Sequence, residues 1–176
     1  LSLGTSMWYG LAFIFVDIYL GMGEQFAKMF MLAFAAGIVI TPLWYKLANR
    51  LGKKNVWFLS TFLLAFCYLY TATLEPGNTP FIELVILKTI QTIGFVCMGV
   101  MPPAMLSEIC DYGAWKFKTE QSATYFSVYT FTSKVTVAIA SALGLAIAGW
   151  YGFDATASTQ SDSGVRGLIL AMTWIP

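Results

Sequence analysis

A lysine, Lys134, stands in the middle of the apolar stretch TFTSKVTVAIASALGLAIAG, residues 130–149. At a rise of 1.5 Å per residue it lies about 20 Å from either end of a predicted helix over 122–149, too far to reach water easily. An ammonium group at that depth costs about 2.5–3.5 kcal/mol on membrane-insertion scales. We therefore expect Lys134 to face a partner carboxylate or a water-filled cavity.

Polar side chains accompany Lys134 on one side of this predicted helix. Ser127, Thr130 and Ser141 stand at spacings of seven and four residues that place them on the face of Lys134. Such a face predicts a helix that lines a solute or ion pathway, because intramembrane charges commonly mark these pathways. The alternatives are a structural ion pair at Lys134 and ordinary interhelical hydrogen bonds at Ser127 and Thr130.

A second lysine, Lys88, lies in the preceding apolar run, and Gln91 follows it by about one helical turn. The two side chains could share one face and also contact a solute. Because Lys88 is nearer the end of its run, snorkelling of its ammonium to the membrane surface is an equal alternative.

The elements that must position these residues are long apolar runs. The chain is 58% hydrophobic and only 11% charged, about half the charge of a typical soluble domain. Runs of about 18 or more apolar residues indicate transmembrane helices. The sequence predicts five full spans and the start of a sixth, over 3–20, 26–45, 56–74, 81–107, 122–149 and 165–176.

Basic residues predict the orientation, since they concentrate in cytoplasmic loops. Lys46, Arg50, Lys53 and Lys54 follow the second span, and Lys116 and Lys118 follow the fourth, on alternate connectors as serial crossing requires. Acidic residues dominate the other connectors. The pair Pro102–Pro103 predicts a break or kink in the fourth span, and Ala140, Gly144 and Ala148, four residues apart, suit close helix packing.

Several functional classes are not expected. The sequence has no histidine, which removes the usual general base, and no deep carboxylate pair, so we do not expect an enzyme. A net charge of +1 without a basic tail makes nucleic acid an unexpected partner. Cys67, Cys97 and Cys110 lack metal-binding spacing and are predicted to be packing residues. Since the chain starts without methionine and stops inside an apolar run, we expect it to be part of a longer protein.

Two stretches carry a family resemblance. MLSEICDYGAWKFK, residues 105–118, and YFSVYTFTSK, residues 125–134, resemble the glycoside–pentoside–hexuronide:cation symporters, which include the melibiose permeases. LANRLGKK, residues 47–54, resembles a cytoplasmic loop signature of the major facilitator superfamily, with Asn49 in place of its acidic residue. The resemblance implies an all-α membrane protein. Residues 1–176 would be the C-terminal six-helix bundle of a major facilitator fold, with its last helix truncated.

The resemblance also implies roles for single residues. Lys134 matches a lysine that links the cation and sugar sites in melibiose permeases. Asp111, Tyr112 and Gly113 match an Asp-Tyr-Gly motif, and Glu108 stands where a carboxylate is usual. The resemblance also implies an inner gate whose ion pairs would close the cytoplasmic side. The alternative is that its basic members only set the topology. The gate comprises Glu108, Asp111, Tyr112, Arg50, Lys53, Lys54 and Lys116.

The resemblance implies symport of a sugar or glycoside, coupled to Na⁺ or protons, by alternating access in the bacterial inner membrane. No cofactor is implied, and the cation ligands would lie mainly in an N-terminal six-helix half, which with the lipid bilayer and the solute is an expected partner. Two alternatives remain. A lysophospholipid-type symporter predicts an amphipathic groove open to the bilayer, and a non-transporting helical scaffold predicts that Lys134→Met is tolerated.

Overall fold

The structure is a computed structural model that describes residues 2–154 and 160–175. These residues form α-helices and two short π-helical turns, with no strand among them. The first π-turn, Phe15–Tyr19, continues helix α1, and the second, Leu170–Trp174, continues helix α6. The helices are α1 Ser2–Ile14, α2 Gly23–Leu51, α3 Lys53–Thr71, α4 Phe81–Phe117, α5 Ser122–Trp150 and α6 Asp162–Ile169.

Each predicted span coincides with a helical segment, which confirms the all-α class. Among the described residues, α2, α4 and α5 are long and apolar enough to cross a membrane by length and composition. Helix α3 has 19 residues and ends at Thr71, three residues before the predicted limit. The expected connector over 152–164 lies partly outside the described residues.

Helices α2 and α3 pack on α4, and α5 packs on α1. Helices α2 and α3 also contact each other, while α6 packs on α5 and the π-turn that continues it contacts α1, α3 and α5. Trp44 of α2 donates a hydrogen bond from Nε1 to the carbonyl oxygen of Ile93 in α4, at 2.8 Å. This bond ties the two helices together where the apolar medium offers no competing partner.

Small residues lie where helices approach most closely. A Cβ atom added at Gly94 of α4 would lie 2.9 Å from Cγ of Leu64 in α3, closer than real atoms pack. Ala140, Gly144 and Ala148 are all buried, and Gly144 faces Leu11 of α1. The predicted packing role of this four-residue pattern is confirmed.

Of the break or kink expected at Pro102–Pro103, the break is wrong, and a kink stays a prediction. Helix α4 runs without interruption through both prolines to Phe117, beyond the predicted end of the span at 107. Each proline removes its own N–H donor, and its ring crowds the carbonyl group of the residue four positions earlier. In an apolar medium the neighbouring backbone groups still gain most by staying in the helix, because water cannot satisfy them.

One residue joins α2 to α3. Helix α2 ends at Leu51, α3 begins at Lys53, and Gly52 between them has φ +86°. Glycine adopts this left-handed conformation without the steric penalty that a side chain would bring. We call this end of the bundle, which carries Arg50, Lys53 and Lys54, the basic end. The opposite end, which carries Glu24, Glu75 and Glu83, is the acidic end.

Much of the apolar surface is uncovered. Val39 of α2 is 78% exposed, and Met31, Phe66 and Phe131 are similarly open. Exposed apolar area of this extent indicates a lipid or protein environment. The three cysteines, in contrast, are free and buried, as expected for packing residues.

Candidate functional site

Lys134 is exposed on α5, in the half of that helix nearer the basic end. Ser127 and Thr130 are exposed beside it, so the predicted polar face is present on the surface of the bundle. Among the described residues no carboxylate forms an ion pair with Lys134. The ammonium is thus presented outward, and no carboxylate in the described ranges pairs with it.

The polar face of α5 leads toward the seam with α1. Ser141, two turns beyond Lys134, is half-buried, and its Oγ atom would lie 3.2 Å from a Cβ atom added at Gly10. Gly10 itself is exposed. The polar face therefore borders the α1–α5 contact and continues from it to Lys134.

Lys88 lies inside the bundle and does not snorkel. Its side chain is 3% exposed, and its Nζ atom lies 4.2 Å from the ring centroid of Trp8 and 4.1 Å from those of Tyr9 and Phe30. No described residue accepts a hydrogen bond from this nitrogen. The negative faces of three rings, from α1 and α2, take the place of a counter-ion. We call Trp8, Tyr9 and Phe30 the aromatic cage.

Gln91 shares this buried environment with Lys88. It is 2% exposed, and its Nε2 atom donates a hydrogen bond to Thr71 Oγ1 at 3.4 Å. Lys88, Gln91 and Trp8 line a cavity of about 20 Å³, enough for one water molecule. The predicted substrate residues therefore form two groups, Lys134 with its neighbours on the surface and Lys88 with Gln91 in the interior.

The predicted inner-gate residues cluster at the basic end, and one ion pair forms among those described. Lys53 Nζ lies 2.6 Å from Glu108 Oε1 and also donates to the carbonyl oxygen of Ala104 at 3.3 Å. This contact fastens the start of α3 to α4. The remaining members are exposed and form no ion pair: Arg50, Lys54, Asp111, Tyr112 and Lys116.

A groove between α3 and α4 opens on the outer surface near the acidic end. Its volume is about 440 Å³, and its walls are apolar except for Tyr70 and Glu83 at one end. It has the amphipathic composition that the lysophospholipid alternative predicts. No residue of α5 lines it.

Sequence reasoning missed the aromatic cage and Glu83. The cage rings come from α1 and α2, far in sequence from Lys88, so a single helical pattern cannot bring them together. The sequence offers one signal for such a cage: a lysine stands within an apolar run, and the chain is 16% aromatic, so rings are available to surround it. Glu83, in the first turn of α4, has the ordinary appearance of an acidic residue near a helix N-terminus.

Comparisons with known proteins match nearly the whole chain. A family model described as MFS/sugar transport protein matches residues 2–176. A curated relative, the Uncharacterized symporter YjmB of Bacillus subtilis (strain 168), is 30% identical over 141 residues, 76% of this chain and 28% of that protein. The Sodium-dependent lysophosphatidylcholine symporter 1-A of Danio rerio is 22% identical over 153 residues, 85% of this chain and 28% of that protein. The chain spans about 28% of the length of these relatives. No solved structure matches it significantly.

Proposed function

Because this chain belongs to the MFS/sugar transport protein family, we propose that it forms the C-terminal half of a symporter that moves a sugar or glycoside across the bacterial inner membrane. The family and the named relatives are membrane transporters, and the chain is a multi-pass integral membrane protein. Alternating access by rocking of two bundles, with the solute site between them near mid-membrane, is the mechanism we propose.

The exposure of Lys134 on α5 carries this proposal. An uncompensated ammonium facing acyl chains would cost several kcal/mol, about 2.5–3.5 on insertion scales. A surface lysine at mid-helix is therefore expected to face water or carboxylates supplied from outside this bundle. An N-terminal half of the same transporter is the source of such carboxylates that we propose.

Lys134 would couple the solute to a cation through those carboxylates. In the empty site the ammonium neutralises them. A bound Na⁺ ion or proton competes for the same negative charge and releases Lys134 toward the solute, with Ser127 and Thr130 offering hydroxyl groups. Because binding free energies are linked, the solute then raises the affinity for the cation as much as the cation raises that for the solute.

Uptake by the full-length protein in lipid vesicles tests this proposal. We expect a sugar from a panel to accumulate when a Na⁺ or proton gradient is imposed, and Lys134→Gln to reduce that accumulation at least tenfold. Lys28→Gln, an exposed lysine on α2 outside the site, is the matched control and should accumulate normally. Uptake that ignores both gradients would exclude symport, and full uptake by Lys134→Gln would show that Lys134 does not couple the solute to the cation. A folded, unmodified protein that takes up no solute of the panel would favour the scaffold alternative.

A second candidate solute is a lysophospholipid. The Danio rerio relative, whose name includes lysophosphatidylcholine, and the amphipathic groove between α3 and α4 support it. The groove lies apart from the polar face of α5, which weakens this candidate. Adding radiolabelled lysophosphatidylcholine to the uptake panel decides between the two solute classes.

A further inference from the structure

The groove between α3 and α4 has a buried floor and open walls. Cys67 of α3 and Leu87 of α4 form the floor, and the exposed side chains of Phe66 and Ile86 stand beside it. A volume of about 440 Å³ is within the range of small-molecule sites. The groove is therefore large enough for part of an acyl chain and is more than a small gap between imperfectly packed side chains.

The end of the groove nearest the acidic end is polar. Tyr70, in the last turn of α3, donates a hydrogen bond from its hydroxyl group to Glu83 Oε1 in the first turn of α4, at 2.6 Å. No described lysine or arginine forms an ion pair with Glu83. The carboxylate is thus oriented by Tyr70, and its negative charge remains available to a ligand.

The polarity of the groove changes along the helix axis. From Glu83 to Ile90, at the far end of the lining, the distance is about 10 Å along α4, and the groove between them is apolar. The polar end lies at the helix termini and the apolar part toward mid-helix, as the headgroup and chain of a membrane lipid are arranged. A ligand that matches both parts is an amphiphile with a cationic head.

We propose that this groove is a binding site for a membrane phospholipid with an ammonium headgroup, such as phosphatidylethanolamine. The ammonium group pairs with Glu83, and one acyl chain lies along Cys67 and Leu87. An anionic headgroup is disfavoured, because the groove has no basic lining residue and Glu75 adds negative charge to the same end. The site is independent of the proposed solute pathway, since no residue of α5 lines it.

Lipid retention by the full-length protein tests the site. The protein is placed in nanodiscs of equal phosphatidylethanolamine and phosphatidylglycerol, extracted with detergent, and analysed by native mass spectrometry. We expect phosphatidylethanolamine to be retained preferentially, and Glu83→Gln to lower that preference by about fivefold, the factor of a partly exposed ion pair of about 1 kcal/mol. Glu24→Gln, an exposed carboxylate at the same end, is the control and should retain the preference.

Two results would overturn the proposal. One is equal retention of both lipids by the unmodified protein, a comparison that needs no variant to fold. The other is uptake of lysophosphatidylethanolamine that Glu83→Gln abolishes, since this would make the groove part of a solute path. Loss of sugar uptake in Lys134→Gln, in contrast, bears on the proposed transport and leaves this lipid site unaffected.

Discussion

The ammonium nitrogen of Lys88 lies 4.2 Å from the centroid of the Trp8 indole ring, deep between helices α1 and α4. The same nitrogen lies 4.1 Å from the ring centroid of Tyr9 and 4.1 Å from that of Phe30. Each such contact contributes about 2 kcal/mol when the cation is desolvated. The cage therefore offsets part of the cost of burying this charge, and it connects α4 to both α1 and α2.

A double-mutant cycle measures the strength of this cage. We expect Trp8→Leu to lower the free energy of unfolding of the detergent-solubilised protein by about 2–4 kcal/mol, since it removes a buried ring as well as the cation contact. In a Lys88→Met background the same substitution should cost about 1–2 kcal/mol less, because no cation remains to lose its partner. Equal costs in the two backgrounds would show that the ring and the ammonium do not interact.

Gly94 is predicted to be intolerant of a side chain. Gly94→Ala places a Cβ atom 2.9 Å from Cγ of the buried Leu64, so either this side chain must leave its position or α3 and α4 must separate. We expect a loss of about 1–3 kcal/mol in thermal unfolding experiments. Gly99 provides the matched control on the same helix, because a Cβ atom there meets nothing within 4 Å. Gly99→Ala should be neutral or stabilise by up to about 1 kcal/mol through helix propensity. A stabilising Gly94→Ala would contradict the close approach.

The ion pair between Lys53 and Glu108 is expected to add little to stability. Its side chains are 32% and 65% exposed, and exposed pairs contribute about 0.2–1 kcal/mol. We expect Glu108→Gln to lower the unfolding free energy within that range at low salt, and the loss to shrink at about 1 M salt, where the Debye length is about 3 Å. Lys54→Gln, next to Lys53 but without an ion pair, should show no such salt-dependent loss. A salt-independent loss of several kcal/mol would mean that Glu108 has another role.

The environment of Lys134 can be read by chemical labelling. In a background without native cysteines, we expect Lys134→Cys to react with a membrane-impermeant thiosulfonate reagent in vesicles, since the position faces a wet pathway. Ile139→Cys, on the far side of the same helix and also exposed in the bundle, should react at least tenfold more slowly because it faces lipid or protein. A transported solute should protect position 134. Equal rates at both positions would contradict the pathway.

The helices could be predicted from the sequence because one physical constraint decides them. An apolar run that must cross about 30 Å of hydrocarbon has few options other than a helix of about 20 residues. The same constraint explains why α4 does not break at Pro102–Pro103, because a medium without competing hydrogen bonds favours keeping the remaining backbone bonds of the helix. The end of α4 at Phe117 lies beyond the apolar run, so hydropathy alone could not place it.

The surroundings of single residues were harder to predict. Helical spacing within one element predicts a shared polar face of Lys134, Thr130 and Ser127, and all three residues are exposed on α5. The position of Lys88 depends on which faces of α1 and α2 meet α4, which no local pattern contains. Snorkelling was a reasonable expectation from one helix, but it does not describe a nitrogen enclosed by three rings. The solute contact of Lys88 stays a prediction.

The single glycine between α2 and α3 has a mechanical consequence. Because a single residue connects them, the end of α2 and the start of α3 stay adjacent, and a displacement of one helix end displaces the other. A longer connection, for example a short Gly-Ser sequence inserted after Gly52, would let α2 and α3 move independently while leaving the sequences of both helices intact. In the rocking movement that we propose, α2 and α3 would move together, with the connection at Gly52 as the point about which they turn at the basic end of the molecule.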